Sequence, residues 1–170
     1  MDTNRASALL VDEFEGLQTG ADYYIEKPFL PHLLSKLIEN IITTRKNLIE
    51  RFKSDVNMLP TEMAVSESDK ELIEKISTLI KTNIDIPNLD VSFIVNKIGI
   101  SRSLLHVKLK KPTDCSATEF IRSISLREAV KLIAQGKCNI SEAAYQTGFS
   151  SPAYFSRRFK EYFGVTPKAY

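Results

Sequence analysis

Ile140-Ser-Glu-Ala-Ala-Tyr-Gln-Thr-Gly-Phe-Ser-Ser-Pro-Ala-Tyr-Phe-Ser-Arg-Arg-Phe159 is the stretch that decides the fold. It reads as a short helix carrying Ala143 and Ala144, a turn at Gly148, a serine N-cap at Ser150, and a second amphipathic helix starting at Ser151. Phe155 and Phe159 stand four residues apart and so share one face of that helix. The same pattern occurs earlier in the chain as Val91-x-x-Ile94-Val95-x-x-x-Gly99-Ile100-Ser101, followed by a helix with Leu105 and Leu109 facing inward. Helix, glycine turn, capped helix is the layout of a helix-turn-helix, whose second helix can enter the DNA major groove. One match is a weak signal, because helix pairs turning at glycine are common. Two in tandem are a much stronger one.

Working outward, Ala117 to Gln135 is a long amphipathic helix joining the two motifs, with Phe120, Ile124, Ala129, Leu132 and Ile133 apolar and Gly136 suited to its C-cap. Pro112 to Ser116 reads as a break before it. Upstream, Ser68-x-x-Glu71 reads as a capping box opening a helix with Leu72, Ile76, Leu79 and Ile80 on one face, ending near Asn83. Met58 to Ser66 lacks periodicity and contains Pro60, so residues 54–66 are assigned as a linker. From Pro31 the chain turns helical, with Leu34, Ile38, Ile41, Leu48 and Phe52 in a heptad-like stripe interrupted by Arg45. Before it, Leu9 to Gln18 reads as a short helix and Asp22 to Glu26 as a short strand, stopped by Lys27-Pro28. After Gly164-Val-Thr-Pro167 a final helix is expected just to begin at the end of the chain.

The formal net charge of +2 hides an asymmetry. Residues 1–66 hold 7 Lys/Arg against 10 Asp/Glu, while residues 67–170 hold 16 against 11. The basic half carries the tandem motif, which suits a phosphate-facing surface. No apolar run approaches the roughly 18–20 residues of a membrane span, and the N-terminus lacks the layout of a signal peptide. Cys115 and Cys138 stand apart from each other and from both histidines. These features favour a cytoplasmic chain with free thiols. There is no glycine-rich phosphate loop, no metal cluster and no nucleophile–base pair. His32 and His106 lack cysteine or carboxylate at ligand spacing. An enzyme is therefore the least favoured reading, and neither cofactor nor metal is expected.

Residues 67–170 resemble the DNA-binding domain of the AraC/XylS family of bacterial transcription regulators. The resemblance rests on Gly148-Phe-Ser-Ser-Pro-Ala-Tyr-Phe-Ser-Arg-Arg-Phe159, on Gly99-Ile-Ser-Arg-Ser-Leu-Leu105 with Lys108-Leu-Lys110, and on Glu119-Phe-Ile-Arg122 with Leu126 and Arg127. It implies an all-α fold in which two helix-turn-helix units share one connecting helix and double-stranded DNA is the partner. By family position, the base-edge candidates are Ser103, His106 and Val107 on the first recognition helix. On the second they are Pro152, Ala153, Ser156 and Arg157. Arg157 suits a bidentate guanine contact, and Val107 a thymine methyl. Arg102, Lys108, Arg158 and Lys160 are phosphate candidates or solvated surface. The core candidates of the second helix are Tyr154, Phe155 and Phe159.

Glu15-Gly-Leu-Gln-Thr-Gly-Ala-Asp-Tyr-Tyr-Ile-Glu-Lys-Pro-Phe29 looks like the last third of a response-regulator receiver domain. The likeness implies that Lys27 matches the lysine that contacts the phosphoryl group and Pro28 its cis-proline partner. Residues 1–53 are then a truncated receiver remnant, its last helix-strand-helix, running into an extended helix. The combination resembles the C-terminal end of hybrid two-component regulators, often of polysaccharide-utilisation genes. Two other readings stay open: a DNA binder with little sequence specificity, and a protein-interaction fragment that forms a homodimer through residues 31–52.

Overall fold

A side-chain oxygen opens nearly every helix of this chain. In the computed structural model, which describes residues 25, 27–136 and 138–170, seven α-helices and one 3-10 turn follow one another, with no strand among the described residues. They are α1 (Pro31–Ser54), the turn Pro60–Met63, α2 (Glu67–Thr82), α3 (Val91–Ile98), α4 (Arg102–Thr113), α5 (Ala117–Ala134), α6 (Ile140–Gln146) and α7 (Pro152–Phe163). From α2 onward, Ser66, Asp90, Ser101, Ser116, Asn139 and Ser151 each accept the N–H of the residue three positions on. Each such cap contributes about 1 kcal/mol. At Ser116 and Asn139 the bond is reciprocated by Glu119 and Glu142.

Two expected helix starts shift. Ser66, not Ser68, caps α2, with Asp69 rather than Glu71 in the third position. Ser151, not Ser150, caps α7, because Pro152 takes the first helical position and drives the residue before it into an extended conformation. Counted from its glycine to the capping serine, Gly148 to Ser151 against Gly99 to Ser101, the second turn is therefore one residue longer than the first. Pro112 does not break α4; it lies in the last turn, and Asp114, at φ 53°, closes the helix through its N–H to the Lys110 carbonyl. No final helix follows Pro167, which is buried; Thr166 instead accepts the N–H groups of Ala169 and Tyr170. The expected helix over Leu9–Gln18 and, Ile25 apart, the expected strand over Asp22–Glu26 lie outside the described residues. The Lys27–Pro28 peptide is cis.

The chain divides into two compact units, residues 1–46 and 47–170. Within the second, α5 is the common wall of two cores. Its first half gives Phe120, Ile121 and Ile124 to a core with Ile73, Ile76, Ile80, Ile94, Leu105 and Leu109. Its second half gives Leu126, Ala129 and Val130 to a core with Ala143, Ala144, Phe149, Phe155 and Phe159. Each core is sealed by one helix-turn-helix. Leu105, Leu109, Phe155 and Phe159 face inward as their spacing predicts, whereas Tyr154 is only half-buried. On α2 the buried face centres on Ile73, Ile76 and Ile80, with Leu72 and Leu79 at its margins. Residues 54–66 are no free linker: Met58, Pro60 and Met63 are buried, the two methionines in the first core. A segment too short for periodicity still has apolar side chains to bury, and α2 supplies the surface.

The two helix-turn-helix units are also tied directly. The N–H of Asn88, in the loop before α3, donates to the carbonyl of Gly148 in the second turn at 3.1 Å. A Cβ at Gly148 would sit 2.6 Å from the Ile84 carbonyl oxygen and 2.9 Å from that of Ile86, and the residue has φ +80°. Gly164 has nearly the same φ, +79°, with open space around it. Gly164→Ala is expected to cost roughly the 1–2 kcal/mol of a left-handed non-glycine residue. Gly148→Ala should cost clearly more, because two backbone carbonyls must also move. Thermal unfolding followed by circular dichroism compares them; equal losses would show that the 84–88 loop gives way freely.

Candidate nucleic-acid interface

In the first unit, α3 ends at Gly99, whose left-handed conformation (φ 77°, ψ 31°) directs its N–H back to the Val95 carbonyl. Ser101 then opens α4. With Leu105 and Leu109 sealed inside, the opposite face presents Ser103, Leu104, His106, Val107, Lys110 and Lys111 to solvent. Val107 is 61% exposed and Leu104 45%. Leu104 was not among the sequence candidates, because an apolar residue beside Leu105 reads as core; only the packing shows which of the two is turned out. In the second unit, α7 shows Ala153, Arg157 and Lys160 to solvent, with Pro152 and Ser156 half-buried beside them. The seven base-edge candidates thus lie on or at the margin of the two recognition-helix surfaces.

The four phosphate candidates are less alike. Arg102 donates to the Ser92 hydroxyl, tying α4 to α3. Lys108 reaches back to Asp69 of α2 at 2.9 Å. Arg158 pairs with Glu161 at 2.7 Å. Lys160 is exposed and has no ion pair among the described residues. The cationic surface left for a ligand is concentrated on α7, around Arg157 and Lys160, while α4 offers an apolar tip followed by Lys110 and Lys111. Lys110 is itself paired with Asp114 at 2.7 Å. Tyr154 organises the α7 cations: Arg157 and Arg158 lie 5.4 and 5.2 Å from its ring centroid. Arg122 of α5 approaches the same ring at 6.0 Å.

Arg127 is a further residue whose role the sequence does not reveal. It is 3% exposed, and its guanidinium donates to the carbonyls of Phe52, Val56 (3.0 Å) and Met58. Its guanidinium carbon also lies 4.2 Å from the centroid of the Phe52 ring. Burial pushes its pKa down from the ordinary arginine value, yet that value is so high that the group keeps its charge. Among the described residues no group of three or more His, Cys, Asp and Glu is placed to hold a metal ion, and no helix is long and apolar enough to cross a membrane. Burial pushes the Cys115 thiol up, away from reactivity.

Two recognition surfaces on one connecting helix define the class. Residues 94–170 match the model of the helix-turn-helix domain family, and the tandem fold is similar to that of AraC-type DNA-binding domains. Over 168 residues, 99% of the chain, it is 38% identical to histidine kinase P4 of Formosa agariphila, of which it spans 12%. Over 105 residues it is 30% identical to the Msm operon regulatory protein of Streptococcus mutans, covering 62% of this chain and 37% of that protein. The fold is similar to that of ToxT from Vibrio cholerae O395, with a TM-score of 0.55 and 32% identity, covering 62% of this chain and 40% of that one. It is also similar to an AraC-type regulator from Chromobacterium violaceum, with a TM-score of 0.52 and 26% identity, covering 56% of this chain and 85% of that one. The chain thus spans well under two thirds of either curated relative.

The Asp69–Lys108 pair sets the pose of α4 against α2 and makes stability pH-dependent. Burial alone would raise the Asp69 pKa, but hydrogen bonds from Lys108 and Ser66 and the charges of Lys108 and Lys111 together hold it below the ordinary aspartate value. A depressed folded-state pKa means that the contribution is complete above the unfolded value of about 3.9 and is lost as pH falls through the folded value. Asp69→Asn should therefore be less stable than the parent at pH 7, with the gap closing below about pH 4. Urea unfolding at pH 7 and pH 3 measures it; a gap of constant size would show that the ion pair is not its source.

Proposed function

We propose that this chain is the sequence-specific DNA-reading output segment of a larger regulator of the hybrid two-component type, acting in the cytoplasm on polysaccharide-utilisation genes. The observation that carries the DNA reading is the pair of capped recognition helices, α4 and α7, packed on opposite halves of α5 with the base-edge candidates turned outward. The two-component context is supported by the receiver-like residues 15–29. It is also supported by the likeness of 99% of the chain to a small part of a protein named as a histidine kinase. The target genes follow from the resemblance to hybrid regulators alone.

The two helices read DNA by different means. Arg157 has the exposure and the donor fork for a bidentate guanine contact, with Ala153, Ser156 and Pro152 shaping the fit around it. Ser103, His106 and Val107 of α4, joined by Leu104, offer apolar contact to thymine methyls and one imidazole. Arg102, Lys108, Arg158 and Lys160 are assigned to phosphates, Lys160 without giving up an existing bond. Arg157→Ala is expected to cost about 1–3 kcal/mol on a duplex selected by this chain from random sequence, and much less on its scrambled form. Salt-titrated fluorescence anisotropy on both duplexes distinguishes this from a phosphate contact, which would lower both equally. Equal affinity of the parent for the two duplexes would favour the reading as a DNA binder of little specificity.

A homodimer through residues 31–52 is favoured by α1, on which Leu33, Ile38 and Ile42 are 57%, 46% and 49% exposed. Of the expected stripe, Leu34, Ile41 and Leu48 are half-buried and Phe52 is buried, so only Ile38 of it is available, flanked by Leu33 and Ile42. Pairing would place two DNA-binding units on one duplex at raised effective concentration. Ile38→Asp/Ile42→Asp should reduce the mass seen by light scattering and the affinity for a two-site duplex by roughly tenfold or more. A parent that is already monomeric at micromolar concentration would count against the dimer.

A further inference from the structure

We propose that Arg122, on the connecting helix, binds a DNA phosphate between the two recognition helices; this rests on the DNA-binding reading above. Three guanidinium groups converge on the ring of Tyr154: Arg122 of α5 at 6.0 Å and Arg157 and Arg158 of α7 at 5.4 and 5.2 Å. Arg158 is neutralised by Glu161 at 2.7 Å. Arg122 and Arg157 have no ion pair and no hydrogen bond among the described residues. The Glu119 carboxylate acts on Arg122 through its charge without closing to an ion pair, and both it and Asp90 are held by local hydrogen bonds. Glu119, one turn earlier, accepts from the N–H and hydroxyl of Ser116 at 2.8 and 2.7 Å. Asp90, across the cleft, accepts the Phe93 N–H at 2.9 Å.

Arg122 stands half-buried at a cleft of about 200 Å³ whose walls come from both units, with Asp90 and Val91 on one side and Gly148 and Tyr154 on the other. A ring face offsets only a small part of the cation repulsion at an exposed site. A phosphodiester beside Arg122 would remove that repulsion and satisfy its planar donor fork, leaving the Arg157 fork to a base. Arg157 shares the ring and lies on the exposed face of α7, so Arg122 stands beside the surface that α7 presents. The connecting helix is thus a third point of attachment, carrying no sequence information itself and fixing the register of the two readers on the duplex.

The test is salt-titrated binding of the full chain to its selected duplex and to the scrambled form, with Arg122→Gln and Arg122→Lys beside the parent. Arg122→Gln is expected to weaken both duplexes by the same factor and to flatten the slope of log K against log salt by about 0.9, one phosphate's worth. Arg122→Lys should keep the parent's slope. Melting temperature is read in parallel. An unchanged slope in Arg122→Gln overturns the proposal; with a lowered melting temperature it assigns Arg122 to packing on Tyr154 instead. A loss confined to the selected duplex overturns it in favour of base or shape readout. A parent that binds neither duplex sinks the DNA reading itself, an outcome distinct from a variant that matches a binding parent.

Discussion

One buried guanidinium, that of Arg127, ties the start of the DNA-binding unit to its central helix. It takes up the carbonyls of Phe52, Val56 and Met58 while lying against the Phe52 ring. The Phe52 carbonyl belongs to the last turn of α1, where the helix has no internal donor to offer. Burying a lone cation costs several kcal/mol; three charge-assisted hydrogen bonds and an aromatic face are the offset. Because Arg127 sits on α5, the helix on which both recognition units hang is referenced directly to the end of α1. The aperiodic crossing of residues 55–63 is drawn into the core for the same reason.

From that anchor the rest follows by division of α5. Phe120, Ile121 and Ile124 commit its first half to one core, and Leu126, Ala129 and Val130 commit its second half to the other. A helix buried on so many sides leaves the two units little freedom to rotate about it. The Asn88–Gly148 bond and the close approach of the Ile84 and Ile86 carbonyls to Gly148 add a second tie, away from the helix. The distance between the two recognition surfaces is therefore a property of the whole unit.

The two surfaces are chemically unequal. α7 gathers cations around Tyr154, and α4 spends its nearest lysine, Lys108, on Asp69. The first helix is thereby fixed in place but presents an apolar tip, Leu104 and Val107; the second presents the exposed guanidinium of Arg157. Fixing α4 through Lys108 and leaving Arg157 exposed on α7 are complementary uses of cationic side chains.

The tandem helix-turn-helix layout was legible in the sequence because it is written in local rules. A serine, aspartate or asparagine caps a helix through the residue three positions on, glycine supplies the left-handed turn, and apolar residues four apart face the core. Even the extra residue in the second turn is local, since Pro152 dictates the conformation of Ser151. Ser66 against Ser68 as the cap of α2 was ambiguous locally, both having an acidic residue three positions on; the packing of Ile73, Ile76 and Ile80 decided it. What no local rule reaches is pairing across the chain. Asp69 meets Lys108 over 39 residues, and Arg127 meets Phe52 over 75. Those contacts determine which cations are already used within the protein and which, like Arg122, Arg157 and Lys160, stand without an ion pair among the described residues. A charge in a sequence carries its sign but not its partner, and only the folded chain supplies the partner.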